Sequence, residues 1–274
     1  MSLAPNPTLA RLRAGRLALG FCVFHLRTAA CAMLAKTTGY DWLFIDTEHG
    51  AFTTQETSQI CLAALPHGVT PIVRVCADAL DEATRALDNG AMGIVLPHVD
   101  TAAQARRMVQ ALRFPPMGMR SWGAPAAAYD YAGPELGPAQ AELNREILLC
   151  AMIETEAAVA NVDEIAAVPG IDVLMIGTTD LTSTMGIPGQ WGHRKVQAAY
   201  QRVGEACRRN GKLLGTGGIG DRKWAAHYIA RGAHMILAHS DHGMIMEAGT
   251  ARARELRALE GKGGASATKP RAKR

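Results

Sequence analysis

Short runs of apolar residues alternate with longer segments of helical periodicity along most of this chain. The runs fall at residues 17–24, 42–46, 71–74, 93–96, 148–153, 173–176, 213–215 and 235–238. They are apolar at nearly every position instead of at every second one, which is the pattern of strands covered on both faces, as in a parallel sheet. Residues 29–38, 54–65, 80–89, 102–112, 157–167, 195–210 and 221–231 read as the helices between them. Several of these stop at glycine, as in Asn89-Gly90, Asn210-Gly211 and Arg231-Gly232, where a left-handed cap would sit. Regular β-α alternation predicts helices packed around a parallel sheet, and eight strands is the number that closes one. The expected fold class is therefore α/β, a TIM-type (β/α)8 barrel.

Two segments depart from the alternation. Residues 114–140 are rich in proline, glycine and alanine and too long for an ordinary connection. They predict either a lid or subunit contact that brings Arg120, Trp122, Tyr129 and Tyr131 toward a site, or a surface loop that only packs. Residues 243–259 form a last amphipathic stretch, expected to lie on the barrel or to reach a neighbouring subunit.

Composition narrows the class. A chain of 274 residues with 48% hydrophobic content suits a single barrel domain, expected over residues 1–260. Residues 261–274 carry five basic residues and no acidic ones, and are predicted to be a disordered tail. No aromatic residue is interleaved with those charges, so no nucleic-acid partner is expected. No run approaches the ~18 apolar residues of a membrane span, and the first residues lack a signal-peptide pattern. No membrane partner and a cytoplasmic location follow as expectations. The six cysteines show no CxxC spacing, which argues against a zinc cluster or a disulfide framework.

The chemistry lies where apolar runs stop. Met-Ile ends in Glu154, Met-Ile-Gly-Thr-Thr in Asp180, Phe-Ile in Asp46-Thr-Glu48-His49, and Ile-Val in Arg74. In a β/α barrel the carboxyl ends of the strands share one rim, so Glu48, His49, Arg74, Glu154 and Asp180 are expected to converge there. Two carboxylates, Glu154 and Asp180, suit a hard divalent ion and leave it open positions for an oxygen-rich substrate. An α-keto acid fits: its oxygens chelate the ion, Arg74 pairs with its carboxylate, and His49 moves a proton. A Schiff-base route to the same enolate needs a lysine inside the barrel. None is suitably placed, since Lys212 precedes its strand and Lys36, Lys195 and Lys223 fall elsewhere. Either carboxylate could instead cap a helix, and His98, His239 and His242 look much like His49 by position. Gly215-Thr-Gly-Gly-Ile-Gly220 reads as a phosphate loop or as glycines that permit tight turns.

Taken together, Phe44-Ile-Asp-Thr-Glu-His-Gly50, Pro71-Ile-Val-Arg74, Leu87-Asp-Asn-Gly90, Met152-Ile-Glu154, Asn161 and Ile176-Gly-Thr-Thr-Asp-Leu181 with Met185-Gly186 give the chain a family likeness. From about Gly20 to Ala248 it resembles the HpcH/HpaI aldolases, the metal-dependent class II pyruvate aldolases. The resemblance implies reversible aldol cleavage of a 4-hydroxy-2-oxo acid to pyruvate and an aldehyde through a metal-stabilised enolate, with Mg²⁺, Mn²⁺ or Co²⁺ on Glu154 and Asp180. It implies Arg74 on the keto-acid carboxylate, His49 as base, and Gly177, Thr178 and Thr179 around the keto acid through backbone amides. It further implies that Asp88 reaches across a subunit boundary to pair with His49, and that barrel dimers assemble into a hexamer with the last helix exchanged. Oxaloacetate decarboxylation, or citrate-lyase-like cleavage of an acyl-CoA, is the alternative on the same barrel; a non-catalytic, metabolite-binding barrel is a further one. The chain departs from the family pattern at Met152, where many relatives have glutamine, at Gly-Thr-Thr-Asp in place of Gly-Pro-Ala-Asp, and at Cys22, where tryptophan is frequent.

Overall fold

The computed structural model describes residue 3 and residues 5–123 and 127–260; the basic stretch 261–274 lies outside them. Eight parallel strands close into a barrel in sequence order: β1 (Ala18–Val23), β2 (Trp42–Asp46), β3 (Thr70–Arg74), β4 (Gly93–Leu96), β5 (Leu148–Ile153), β6 (Val173–Gly177), β7 (Leu213–Gly217) and β8 (Ala233–Ser240). Each matches an expected run within a few residues. The barrel interior is filled by Trp42, Phe44, Ile72, Cys150, Met152, Met175 and their neighbours, while alternate residues such as Leu43, Ile45, Val73 and Ile153 face the helices. Gly20 shows how tight the interior is. A Cβ there would stand 2.3 Å from the Trp42 indole, so glycine on β1 makes room for tryptophan on β2.

Twelve α-helices are assigned among the described residues. Seven of the expected helical segments recur as α2 (Ala30–Thr37), α3 (Thr54–Ala64), α4 (Leu80–Asp88), α5 (Ala102–Leu112), the pair α7 (Glu156–Ala160) and α8 (Val162–Ala166), α10 (Arg194–Arg209) and α11 (Arg222–Ile229). Gly90, Gly211 and Gly232 have positive φ, as their cap positions require. The segment 157–167 is two short helices because Asn161 leaves the first one and donates its side-chain N–H to Asp100 O at 2.8 Å. Three helices lie where none was expected: α1 (Pro7–Arg13), which plugs the amino end of the barrel with Leu9 and Leu12, α6 (Leu136–Glu146), inside the proline-rich insertion, and α9 (Thr178–Thr184), directly after β6.

Within its own chain the described part of that insertion does not reach the cavity. Arg120 is buried and pairs with Asp88, Trp122 packs on Phe114, Tyr129 is buried with its hydroxyl donating to Glu142 at 2.7 Å, and Tyr131 is exposed. None of the four lines the cavity at the barrel mouth. Proline and glycine density registered as a loop near the site, yet its tyrosine and tryptophan are spent on packing between α5, α6 and the amino-terminal segment. The last helix, α12 (Asp241–Arg257), leaves β8 and covers little of its own barrel, with Ile245 58% and Met246 64% exposed.

Candidate active site

Strand geometry explains why charged residues meet at one end. Side chains alternate along a strand, so Asp46, two residues after inward-facing Phe44, and Arg74, two after inward-facing Ile72, also point inward. The β2–β3 register places Asp46 directly beside Arg74. Glu154 follows Met152 on β5 by the same step. A cavity of about 430 Å³ opens above this layer, lined among others by Cys22, Phe24, Phe44, His49, Arg74 and Met152. Its opposite wall comes from Gly177 to Asp180, the Gly217–Gly220 loop and the tip of β8.

Arg74 is held as a fixed fork. Its Nε donates to Asp46 Oδ1 at 3.0 Å and Nη2 to Asp46 Oδ2, while Nη1 lies 3.1 Å from Glu48. The guanidinium also stands 5.1 Å over the Phe44 ring. Burial works against its charge, but Asp46 and Glu48 outweigh that and hold Arg74 firmly protonated. Of five N–H groups, Asp46 takes two, Glu48 one and the Met152 sulfur a weak one at 4.0 Å, which leaves one free, and a second held only by sulfur, to meet a carboxylate in the cavity. Asp46 also turns the chain after β2, accepting from the N–H groups of Glu48 and His49 at 3.1 and 3.2 Å.

Glu48 links this pair to the rest. Its carboxylate lies 3.8 Å from His49 Nε2 and 3.8 Å from His98 Nε2. His98 in turn binds Glu154: its backbone N–H donates to Oε1 at 2.6 Å, and Nδ1 is 3.1 Å from the same oxygen. Glu154 is only 1% exposed. Burial pushes its carboxyl above the ordinary glutamate range and the nearby charge of Asp180 adds to this, against the pull of His98 and Arg74. Room for the group comes from Gly177, where a Cβ would stand 2.6 Å from Glu154 Oε2. Asp180 sits one residue past the exposed Thr179, in the first turn of a helix the sequence did not announce, α9 (Thr178–Thr184).

The five expected residues Glu48, His49, Arg74, Glu154 and Asp180 are thus brought to one rim. Gly177, Thr178 and Thr179 line the same cavity. Asp88 is not among them; it ends α4, accepts from Arg120 Nη2 at 2.7 Å, and keeps its side chain 38% exposed. Two members escaped the sequence reading. Asp46 was noted as a charge ending an apolar run but given no place in the converging set, although the two-residue step from Phe44 was a usable signal. His98 was indistinguishable from other histidines because its contact with Glu154 depends on the turn after β4, where it takes a φ of 53°. The glycine-rich loop after β7 permits close approach: a Cβ on Gly218 would come within 2.4 Å of Thr179 Oγ1.

The donor set fits a hard dication. Among the described residues no three His, Cys, Asp or Glu side chains come together as a metal cluster, and Glu154 and Asp180 are two carboxylates at this rim that could hold an ion with few ligands from the protein. Buried Glu154 with a raised pKa beside a second carboxylate is the arrangement such an ion relieves. No lysine lines the cavity, and Lys212 donates to Val168 O and Ile171 O, before β7, at the opposite end of the barrel.

Comparison with known proteins agrees with this geometry. The chain is 39% identical over 224 residues to a 4-hydroxy-4-methyl-2-oxoglutarate aldolase of Chaetomium globosum, spanning 78% of this chain and 80% of that one. It is 34% identical over 242 residues to the 2-keto-3-deoxy-L-rhamnonate aldolase of Escherichia coli, spanning 86% and 90%. The crystal structure of an HpcH/HpaI aldolase from Desulfitobacterium hafniense superposes with a TM-score of 0.85 at 29% identity, over 93% of this chain and 97% of that one. The profile describing HpcH/HpaI aldolase/citrate lyase matches residues 22–248. The chain belongs to the HpcH/HpaI aldolase/citrate lyase family.

Proposed function

We propose that this protein is a class II pyruvate aldolase that cleaves a 4-hydroxy-2-oxo acid, reversibly, to pyruvate and a carbonyl product. The observation that carries the reading is the meeting, at one rim, of an arginine with two N–H groups free or held only by sulfur and a pair of carboxylates one strand apart, Asp180 lining the cavity and Glu154 buried close enough to feel its charge. Arg74 binds the keto-acid carboxylate and, locked by Asp46, fixes its orientation. Gly177, Thr178 and Thr179 border the keto acid on the β6 side. Glu154 and Asp180 would hold Mg²⁺, Mn²⁺ or Co²⁺, which supplies charge stabilisation to the keto oxygen as negative charge develops there. His49 takes the proton of the C4 hydroxyl in cleavage. The identity of the curated relatives supports this reaction class over decarboxylation or acyl-CoA cleavage.

Assembly belongs to the same proposal. Asp88 ends an outer helix with a partly exposed carboxylate, and the apolar face of α12, with Ile245, Met246 and Leu256 exposed within it and Leu259 exposed just beyond its end, is left uncovered by the described residues of its own chain. Both suit a hexamer in which α12 is exchanged and Asp88 serves the His49 of a neighbour. No helix among the described residues is long and apolar enough to cross a membrane.

The test is metal-stimulated release of pyruvate from 4-hydroxy-4-methyl-2-oxoglutarate and from 2-keto-3-deoxy-L-rhamnonate. Activity with at least one is expected, together with Mn²⁺-dependent exchange of the pyruvate methyl protons. Glu154→Ala and Asp180→Ala should each abolish both signals, and full activity in either variant would remove the assignment.

A further inference from the structure

Thr178 is fully buried, and its hydroxyl is spent away from the cavity. Oγ1 lies 2.7 Å from the hydroxyl of Tyr200, on α10, and 3.4 Å from Thr216 Oγ1, on β7, while Tyr200 and Thr216 also hydrogen-bond to each other. Three hydroxyls closed on one another in a dry site satisfy their own donors and acceptors. The phenol is not free to adjust. Its ring stacks on Tyr228 at 3.6 Å, and the Tyr228 hydroxyl donates to Trp191 O at 2.6 Å. Tyr200 therefore presents a fixed oxygen to the first residue of α9.

That residue begins the turn that carries Asp180. On the cavity side the turn borders the Gly217–Gly220 loop, where Gly218, lacking a side chain, lies against Thr179. Buried Leu181 packs the helix onto the barrel, and the three hydroxyls add a directional tie at its first residue. We propose that Tyr200 is a positioning residue: acting through Thr178, it fixes the β6–α9 corner and so the placement of Asp180 and of the Gly177–Thr179 border of the keto acid. The inference rests on Asp180 being a cation ligand. It also explains how a threonine serves at the first helical position, where a proline would fix φ without outside help.

The experiment measures Mn²⁺ binding to the full-length protein by the paramagnetic resonance of free Mn²⁺, with melting temperature and the KM for pyruvate in proton exchange recorded alongside. Tyr200→Phe keeps the stacked ring and removes the oxygen. It should raise the Mn²⁺ Kd and the pyruvate KM by about tenfold, the scale of one lost buried hydrogen bond. Thr216→Ser, which keeps its hydroxyl in the cluster, should bind Mn²⁺ as the natural chain does. Thr178→Pro combined with Tyr200→Phe should restore binding to within roughly twofold, because the corner is then fixed by the backbone itself. Should Tyr200→Phe fail to fold, Thr178→Val breaks the same cluster and carries the same expectation. Unchanged Mn²⁺ binding in the hydroxyl-deleted protein, or a double variant as weak as Tyr200→Phe alone, overturns the proposal. Asp180→Asn separates the two ideas: if it binds Mn²⁺ normally the metal assignment itself fails, and if it loses Mn²⁺ while Tyr200→Phe keeps it, only the positioning role falls.

Discussion

Arg74 shows how much one side chain contributes by geometry instead of charge. Replacing it with lysine keeps the cation but cannot reproduce a planar fork, so buried Asp46 would lose its paired donors and the substrate its aligned ones. Arg74→Lys should raise the KM for pyruvate in proton exchange by about tenfold to a hundredfold, the scale of one or two charge-assisted hydrogen bonds. A KM unchanged in that variant would mean that Arg74 only braces Asp46. Glu154 makes a second prediction at this scale. Because burial raises its pKa, the group keeps a proton at pH values where an ordinary glutamate has lost it, and the proton competes with the cation. Mn²⁺ affinity should therefore begin to fall while the pH is still above the ordinary glutamate range. Affinity that stays flat down to that range would contradict the shift. The sign for folding is the reverse. In the metal-free protein the contribution of Glu154 to stability is present below the unfolded-state pKa and lost as pH rises through the folded value. Residues of this kind were legible where a charge ended an apolar run, as at Glu154 and Arg74. His98 was not, because nothing local distinguishes a histidine whose partner stands 56 positions away.

Strands and helices divide along the same physical line. The strands were readable because burial on both faces forces a continuous apolar run, and helices such as α5 and α10 because one apolar face repeats. α9 was not readable. Its sequence, Thr-Thr-Asp-Leu-Thr-Ser-Thr, consists almost wholly of poor helix formers, and it is helical because buried Leu181 and the barrel beneath hold it there. α6 was masked by Gly137 and Pro138, which are tolerated because they fall in its first turn. The junction of β8 with α12 carries the element-scale prediction. Asp241, buried at the start of α12, accepts backbone N–H groups from Phe24, His25 and Leu26 at 3.1, 2.7 and 2.7 Å and from His242 at 2.7 Å. Burial alone would raise its pKa, but these four donors outweigh it and the carboxyl sits below its ordinary value. Asp241→Asn turns two acceptor oxygens into one and points an N–H₂ at donors. It should cost about 2 kcal/mol in denaturant unfolding at neutral pH. The lowered pKa means that this stabilisation is present above the unfolded aspartate's value and lost as pH falls through the folded one, so the two proteins should converge in acid. A constant difference at every pH would show that the carboxylate's charge is not what ties the β1–α2 loop to α12.

At the scale of the whole molecule, the barrel gathers Arg74, Glu48, His49, Glu154 and Asp180 by itself, but not Asp88. Within the chain Asp88 belongs to another layer, held from behind by buried Arg120, and its remaining exposure faces outward from α4. If that carboxylate completes the site of a neighbour, two individually inactive proteins should repair each other. In mixed oligomers of His49→Ala and Asp88→Asn subunits, a site with an intact histidine can face an intact aspartate contributed by the other kind of subunit. Random equal mixing then gives both groups at about a quarter of the sites, as expected when each boundary is filled independently. Co-expressed and co-purified mixtures should recover about that share of natural aldol cleavage, while each protein alone stays low. A mixture no more active than its parents would place the partner of His49 elsewhere, and would leave Asp88 as the residue that anchors Arg120.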